Sequence, residues 1–145
     1  MTLDDDAAEE LELFVEAQDG VWDAVTRELA TGKKQGHWMW FVFPQIDGLG
    51  SSPTAVLFAL HGVEEARSYL AHPVLGPRLH ETVDLVLRHR DSEVEAIFGA
   101  LDARKFHSSM TLFALADPDE PRFSEALSAF YEGIADPKTL HLLGA

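Results

Sequence analysis

A chain of 145 residues with 46% apolar residues can bury one sizeable core, and 25 acidic against 11 basic residues leave a formal charge of −14. That balance excludes global disorder, and it disfavours nucleic acid and anionic membrane surfaces, both of which attract cationic proteins. Cysteine is absent, which removes disulfides, thiolate metal sites and a cysteine nucleophile.

The N-terminal run MTLDDDAAEE has neither a basic n-region nor an apolar h-region, so it is not a secretory signal. No apolar run approaches the ~18 residues of a membrane helix. The expectation is a cytoplasmic protein, with residues 1–8 a flexible acidic tail and residues 9–145 one helical domain.

A helical pattern starts near Glu9, with Leu11, Phe14, Val15 and Gln18 at i, i+3, i+4, i+7. Asp19 is placed to cap a second helix carrying Val21, Trp22, Val25 and Leu29 on one face, and Gly32 to end it. The unbroken apolar run Trp38–Phe43 fits a buried helical turn or a buried strand equally, and Pro44 stops it. Ser52 before Pro53 reads as a cap with a first-turn proline. Glu64–Ala71 reads as a helix, and Pro77 suits the start of the next, which ends in Arg88, His89 and Arg90. Ser92 and Glu95 have capping-box spacing. Asp102 is placed to cap a helix running to about Leu115. Phe123, Leu127 and Phe130 mark another, and Asp136-Pro137 opens the last. The fold class expected is all-α: a single compact domain of about seven to nine short helices, with at most one short extended segment.

Few residues suggest chemistry. From Lys33 to Ser52 the lone acid is Asp47, and from Gly99 to Ala116 it is Asp102. In so acidic a chain these are the electropositive stretches. If they meet, Lys33, Lys34, His37, Arg104, Lys105 and His107 would attract an anion. Trp38 or Trp40 would stack on a ring. The helix from Asp102 carries an apolar stripe, Phe106, Met110, Phe113 and Ala114, and a polar one, Arg104, His107, Ser108 and Thr111, at the same spacing. Hydroxyls there suit a pocket wall, or else surface or core hydrogen bonds. His37, Gln45, Ser108, Ser109 and Thr111 would bind a ligand through hydrogen bonds, and His37 is also the candidate acid/base. The seven histidines show no metal-binding spacing, so no metal is expected, and no cofactor signature is present.

Several blocks in one order carry a resemblance: LFVEAQ followed by Trp22, GKKQGHWMWFVFPQIDGLG, HPVLGPRL, IFG at 97–99, HSSMTLFA at 107–114 and DPKTL at 136–140. Together they resemble the bacterial domain of unknown function 1810 family. The resemblance implies a small, single-domain, mostly α-helical protein and no established activity. The calpastatin label borne by some members does not suit this core-forming composition. Gly36 and His107 stand where the family commonly has serine or threonine, and arginine.

The expectation is therefore an intracellular protein with a locally basic pocket for a small anionic ligand of the nucleotide- or sugar-phosphate kind, without nucleic acid or membrane as partner. Two alternatives are an interaction module docking through a Trp-rich surface and a small hydrolase or transferase using His37. Oligomeric state is not legible.

Overall fold

The computed structural model describes the backbone of residues 3–145 and the side chains from Glu9 onward. Ten helices follow in order: α1 (Leu3–Asp19), α2 (Trp22–Thr31), α3 (Met39–Val42), α4 (Pro53–Leu57), α5 (Val63–Ala71), α6 (Leu75–Leu87), α7 (Val94–Phe98), α8 (Ala100–Ala116), α9 (Pro121–Tyr131) and α10 (Pro137–Leu143). The all-α expectation is met. The tenth helix is α3, the run that periodicity left open. Its turn closes through the Phe43 N–H donating to the Met39 carbonyl at 3.0 Å. Extended pairing among the described residues is one parallel bridge, Ile46 with Leu60. Of the expected tail, residues 1–2 lie outside the described residues, and from Leu3 the backbone is already helical.

Several local signals act as the sequence indicates. Gly32 ends α2 in the left-handed conformation at φ 77°. Ser52 accepts from the Ala55 N–H at 3.1 Å, and Asp136 from the Thr139 N–H at 3.0 Å. Three do not. Asp19 completes α1, and Val21 holds the N-cap of α2. Ser92 makes no capping bond, because α7 starts later, at Val94 with Glu93 before it. Asp102 lies in the first turn of α8 rather than at its cap, since Gly99, at φ 83°, turns the chain directly from α7 into α8. The displaced start of α6 is harmless: Pro77 falls in the first turn, where its missing N–H has no helical partner to lose.

Helix α8 is the hub, packed against α3, α5, α7, α9 and α10. From Ser108 to Phe113 six successive residues are buried, so every face of the helix is covered there. A helix surrounded by protein needs no amphipathic period, which is how Ser108 and Thr111 of its polar stripe come to be buried. Phe106 anchors it. Its ring meets Phe43 edge-on at 5.0 Å and stacks on Phe98 at 4.9 Å on one side, and meets Phe130 and Tyr131 at 6.2 and 6.4 Å on the other.

Buried Gln18 ties α1 to this core. Its amide donates to the Phe41 carbonyl at 2.7 Å and to the Tyr69 hydroxyl at 3.0 Å, and its oxygen accepts from Arg78 at 3.3 Å. Every polar atom is thus paired, the condition for burying an amide without a large penalty. Trp38, Phe43 and Tyr69 are fully buried in the same core. An aromatic side chain so placed removes on the order of 200 Å² from water, worth several kcal/mol at ~25 cal/mol/Å².

Candidate functional site

Three anchors set the loop between α2 and α3. Glu28, near the end of α2, accepts through Oε1 from the Gln35 N–H at 2.6 Å, the Gly36 N–H at 2.8 Å and the Trp38 indole at 3.1 Å. Burial pushes its carboxyl pKa up, but the bonds from Gly36, Gln35 and Trp38, with the charge of Lys34, outweigh that and hold it below the usual value. The Lys34 N–H donates to the Ile97 carbonyl at 2.8 Å, which joins the loop to α7. Phe43, wedged against Phe98 and Phe106, fixes α3 behind it.

So positioned, the loop faces the α7–α8 junction across an open cleft of about 480 Å³, walled mainly by Lys34, His37, Trp40, Phe98, Leu101 and Lys105. Lys34 is nearly buried, its side chain 7% exposed, and Nζ lies 2.7 Å from Oδ2 of Asp102. Nζ also donates to the Gly36 carbonyl. Lys105 Nζ approaches the other Asp102 oxygen at 3.3 Å. The two ammonium groups rest on indoles: Lys34 lies 5.0 Å from the Trp38 ring and Lys105 4.5 Å from that of Trp40. Gly99, Ala100 and Leu101 put the start of α8 in the wall. No side chain caps that end, and its partial positive charge favours anions.

The polar stripe of α8 goes elsewhere. Thr111 donates to the His107 carbonyl and accepts from the Asp136 N–H, both at 2.9 Å. Thr139 donates its hydroxyl to Asp136 at 2.6 Å, so the 2.9 Å bond between Ser108 and Thr139 has Ser108 as donor. His107 Nε2 donates to the Ile134 carbonyl at 2.6 Å, and its ring stacks on Tyr131 at 4.0 Å. Burial raises the Tyr131 phenol pKa. These groups form a seam that docks residues 134–139 onto α8. Ser109 is buried with no partner for Oγ among the described residues.

Of the residues singled out from sequence, then, Lys34, His37, Trp40 and Lys105 share the cleft. Trp38 lies behind it, 1% exposed. Lys33 and Arg104 are exposed outside its wall. Gln45 stands by the Ile46–Leu60 bridge, where its carbonyl accepts from the Leu60 N–H at 2.9 Å. It faces a void of about 10 Å³, room for one water.

The family model for a protein of unknown function, DUF1810, matches residues 8–143. This chain belongs to the DUF1810 family. A solved structure, the conserved hypothetical protein Rv1873 from Mycobacterium tuberculosis, is similar at 48% identity over 94% of this chain and 97% of that one, with a TM-score of 0.91. No curated protein matches the chain.

Within this DUF1810 chain, sequence reasoning missed Glu28 and the bridging role of Asp102. Asp102 carried a signal, as the lone acid of its stretch. Glu28 carried none, since nothing local distinguishes it from Asp23, the other acid of α2. One further group of the described residues, Glu10, His61 and Glu65, brings its ligand atoms within 4.8 Å of one another, a spacing that could hold a metal. Glu65 already accepts from the His61 backbone N–H and ring at 3.2 Å, which explains it as a tie at the start of α5. Among the described residues no helix is long and apolar enough to cross a membrane.

Proposed function

We propose that this DUF1810 protein binds a small anionic ligand, of the nucleotide- or sugar-phosphate kind, in the cleft between residues 34–40 and 98–105. One observation carries this: two lysines on separate elements, in a chain of charge −14, converge on one point at an open cleft of about 480 Å³. The volume lies in the ~300–1,000 Å³ range of small-molecule sites. Trp40 offers a half-buried indole as a wall, and the uncapped start of α8 adds a favourable potential. His37 is exposed on the same cleft, the position an acid/base group would need if the ligand is a substrate. A Trp-rich docking surface has less support, because Trp38 is buried.

The test is a thermal-shift screen of nucleotides and sugar phosphates on the native chain and on Lys105→Ala. At 100 times its dissociation constant a ligand adds ~2.7 kcal/mol, a rise of several degrees for a chain of this size. A rise in the native chain that Lys105→Ala abolishes supports the proposal. No rise with any of these anions overturns it.

A further inference from the structure

Both ammonium groups in the cleft already have an anion, and it belongs to the chain. Asp102 bridges them, Oδ2 to Lys34 at 2.7 Å and Oδ1 to Lys105 at 3.3 Å. This is the geometry that an anionic ligand spanning the two lysines would adopt. Lys34 cannot swing to solvent, since Trp38 lies beneath it and the Gly36 carbonyl takes a second N–H. Asp102 is less confined. Its side chain is 19% exposed, and in the first turn of α8 its charge stays favourable without the lysines.

We infer that Asp102 is a resident counter-ion which the ligand displaces, and that the ligand's anionic group is therefore a phosphate monoester rather than a carboxylate, a conclusion that rests on the cleft being the ligand site. Without Asp102, two like charges would converge with nothing between them. With it, the lysines are held in place before any ligand arrives. A carboxylate ligand offers them the group they already hold, but from solution, whereas the tethered Asp102 competes at an effective concentration on the order of millimolar or above. A phosphate monoester carries about −1.5 to −2 charges and three strong acceptor oxygens. It can satisfy both lysines and the third N–H of Lys34 at once. Displacement lets the dianion enter without a carboxylate beside it.

Phenyl phosphate and benzoate, matched in their ring, test this. Each is titrated at fixed ionic strength into the native chain, Asp102→Asn and Lys105→Ala, followed by the indole N–H signals of Trp38 and Trp40 in nitrogen-15 NMR spectra. In the native chain phenyl phosphate binds at least about tenfold more tightly than benzoate, and Asp102→Asn tightens both by one common factor, about tenfold. Equal binding of the two probes by the native chain overturns the ligand class. A gain for phenyl phosphate well above that for benzoate shows Asp102 staying in place and repelling charge, which overturns displacement. So does unchanged affinity in Asp102→Asn, and then the cleft still stands if native binding is lost in Lys105→Ala. Silence of both probes in every variant overturns the cleft and the counter-ion together. Should Asp102→Asn fold poorly, Asp102→Ser removes the same charge and gives the same readout.

Discussion

The two ends of the first three turns of α8 offer a comparison. At its start, Asp102 and Lys105 face an open cleft, with Lys34 opposite. Two turns on, His107, Ser108 and Thr111 are covered by residues 134–139 and hydrogen-bonded to them. Both sets are polar, both have helical spacing, and both lie in one acid-poor stretch. What separates them is a segment more than twenty residues away in the chain. Where it lands, polar groups become structural. Where it does not, they stay available. A stripe of polar residues therefore specifies a face, and the element packed on that face decides its use.

The largest effect should come from the side chain the two regions share. Phe106 packs on Phe43 and Phe98 towards the cleft and on Phe130 and Tyr131 towards the seam. Phe106→Ala is expected to cost about 3–5 kcal/mol in urea unfolding and to loosen both regions. A loss below about 1 kcal/mol would deny it that role.

Asp136→Ala should separate them. It removes the cap of α10 and the acceptor of the buried Thr139 hydroxyl, at an expected cost of about 2 kcal/mol. Phenyl phosphate binding at the cleft should be unchanged, and a parallel loss would show the two regions to be coupled.

Glu28→Gln acts on the cleft side alone. Three N–H groups lose a charged acceptor, so about 1–2 kcal/mol should be lost in urea unfolding. The variant should also blunt acid sensitivity. The folded-state carboxyl lies below its ordinary value of 4.5, so its contribution is complete above that pH and is lost as pH falls through the lower folded value. Native stability should drop more steeply below pH 4.5 than that of Glu28→Gln. Identical acid limbs would remove Glu28 from the account.

The smallest stability effect belongs to Lys105→Ala, whose side chain is 26% exposed. Unfolding should shift by no more than about 0.5 kcal/mol, while cleft binding is lost. A larger destabilisation with binding intact would make Lys105 structural, as His107 is.

The sequence carried the helices wherever local chemistry is sufficient. Ser52 and Asp136 cap from their own next turn, and Gly32 reaches a left-handed conformation that other residues resist. It did not carry the cap of α8, because Gly99 joins two helices with no spacer and makes Asp102 a first-turn residue. Nor could it divide the candidate site. Lys34 and Lys105 were legible as cations in acid-poor stretches, but Lys33 and Arg104 looked the same and lie outside the cleft wall.

By itself, then, the chain determined an all-α fold, its acid-poor stretches and its family, because periodicity, capping and composition act over a few residues or over the whole chain. Only the tertiary structure decided that Asp102 bridges two lysines, that Glu28 holds the loop beneath them, and that Ser108 and Thr111 are structural. Those outcomes depend on which distant segment covers which face of α8. Burial and pairing across 25 to 68 residues, as in Thr111 with Asp136 and Lys34 with Asp102, leave no periodic trace in the residues that take part.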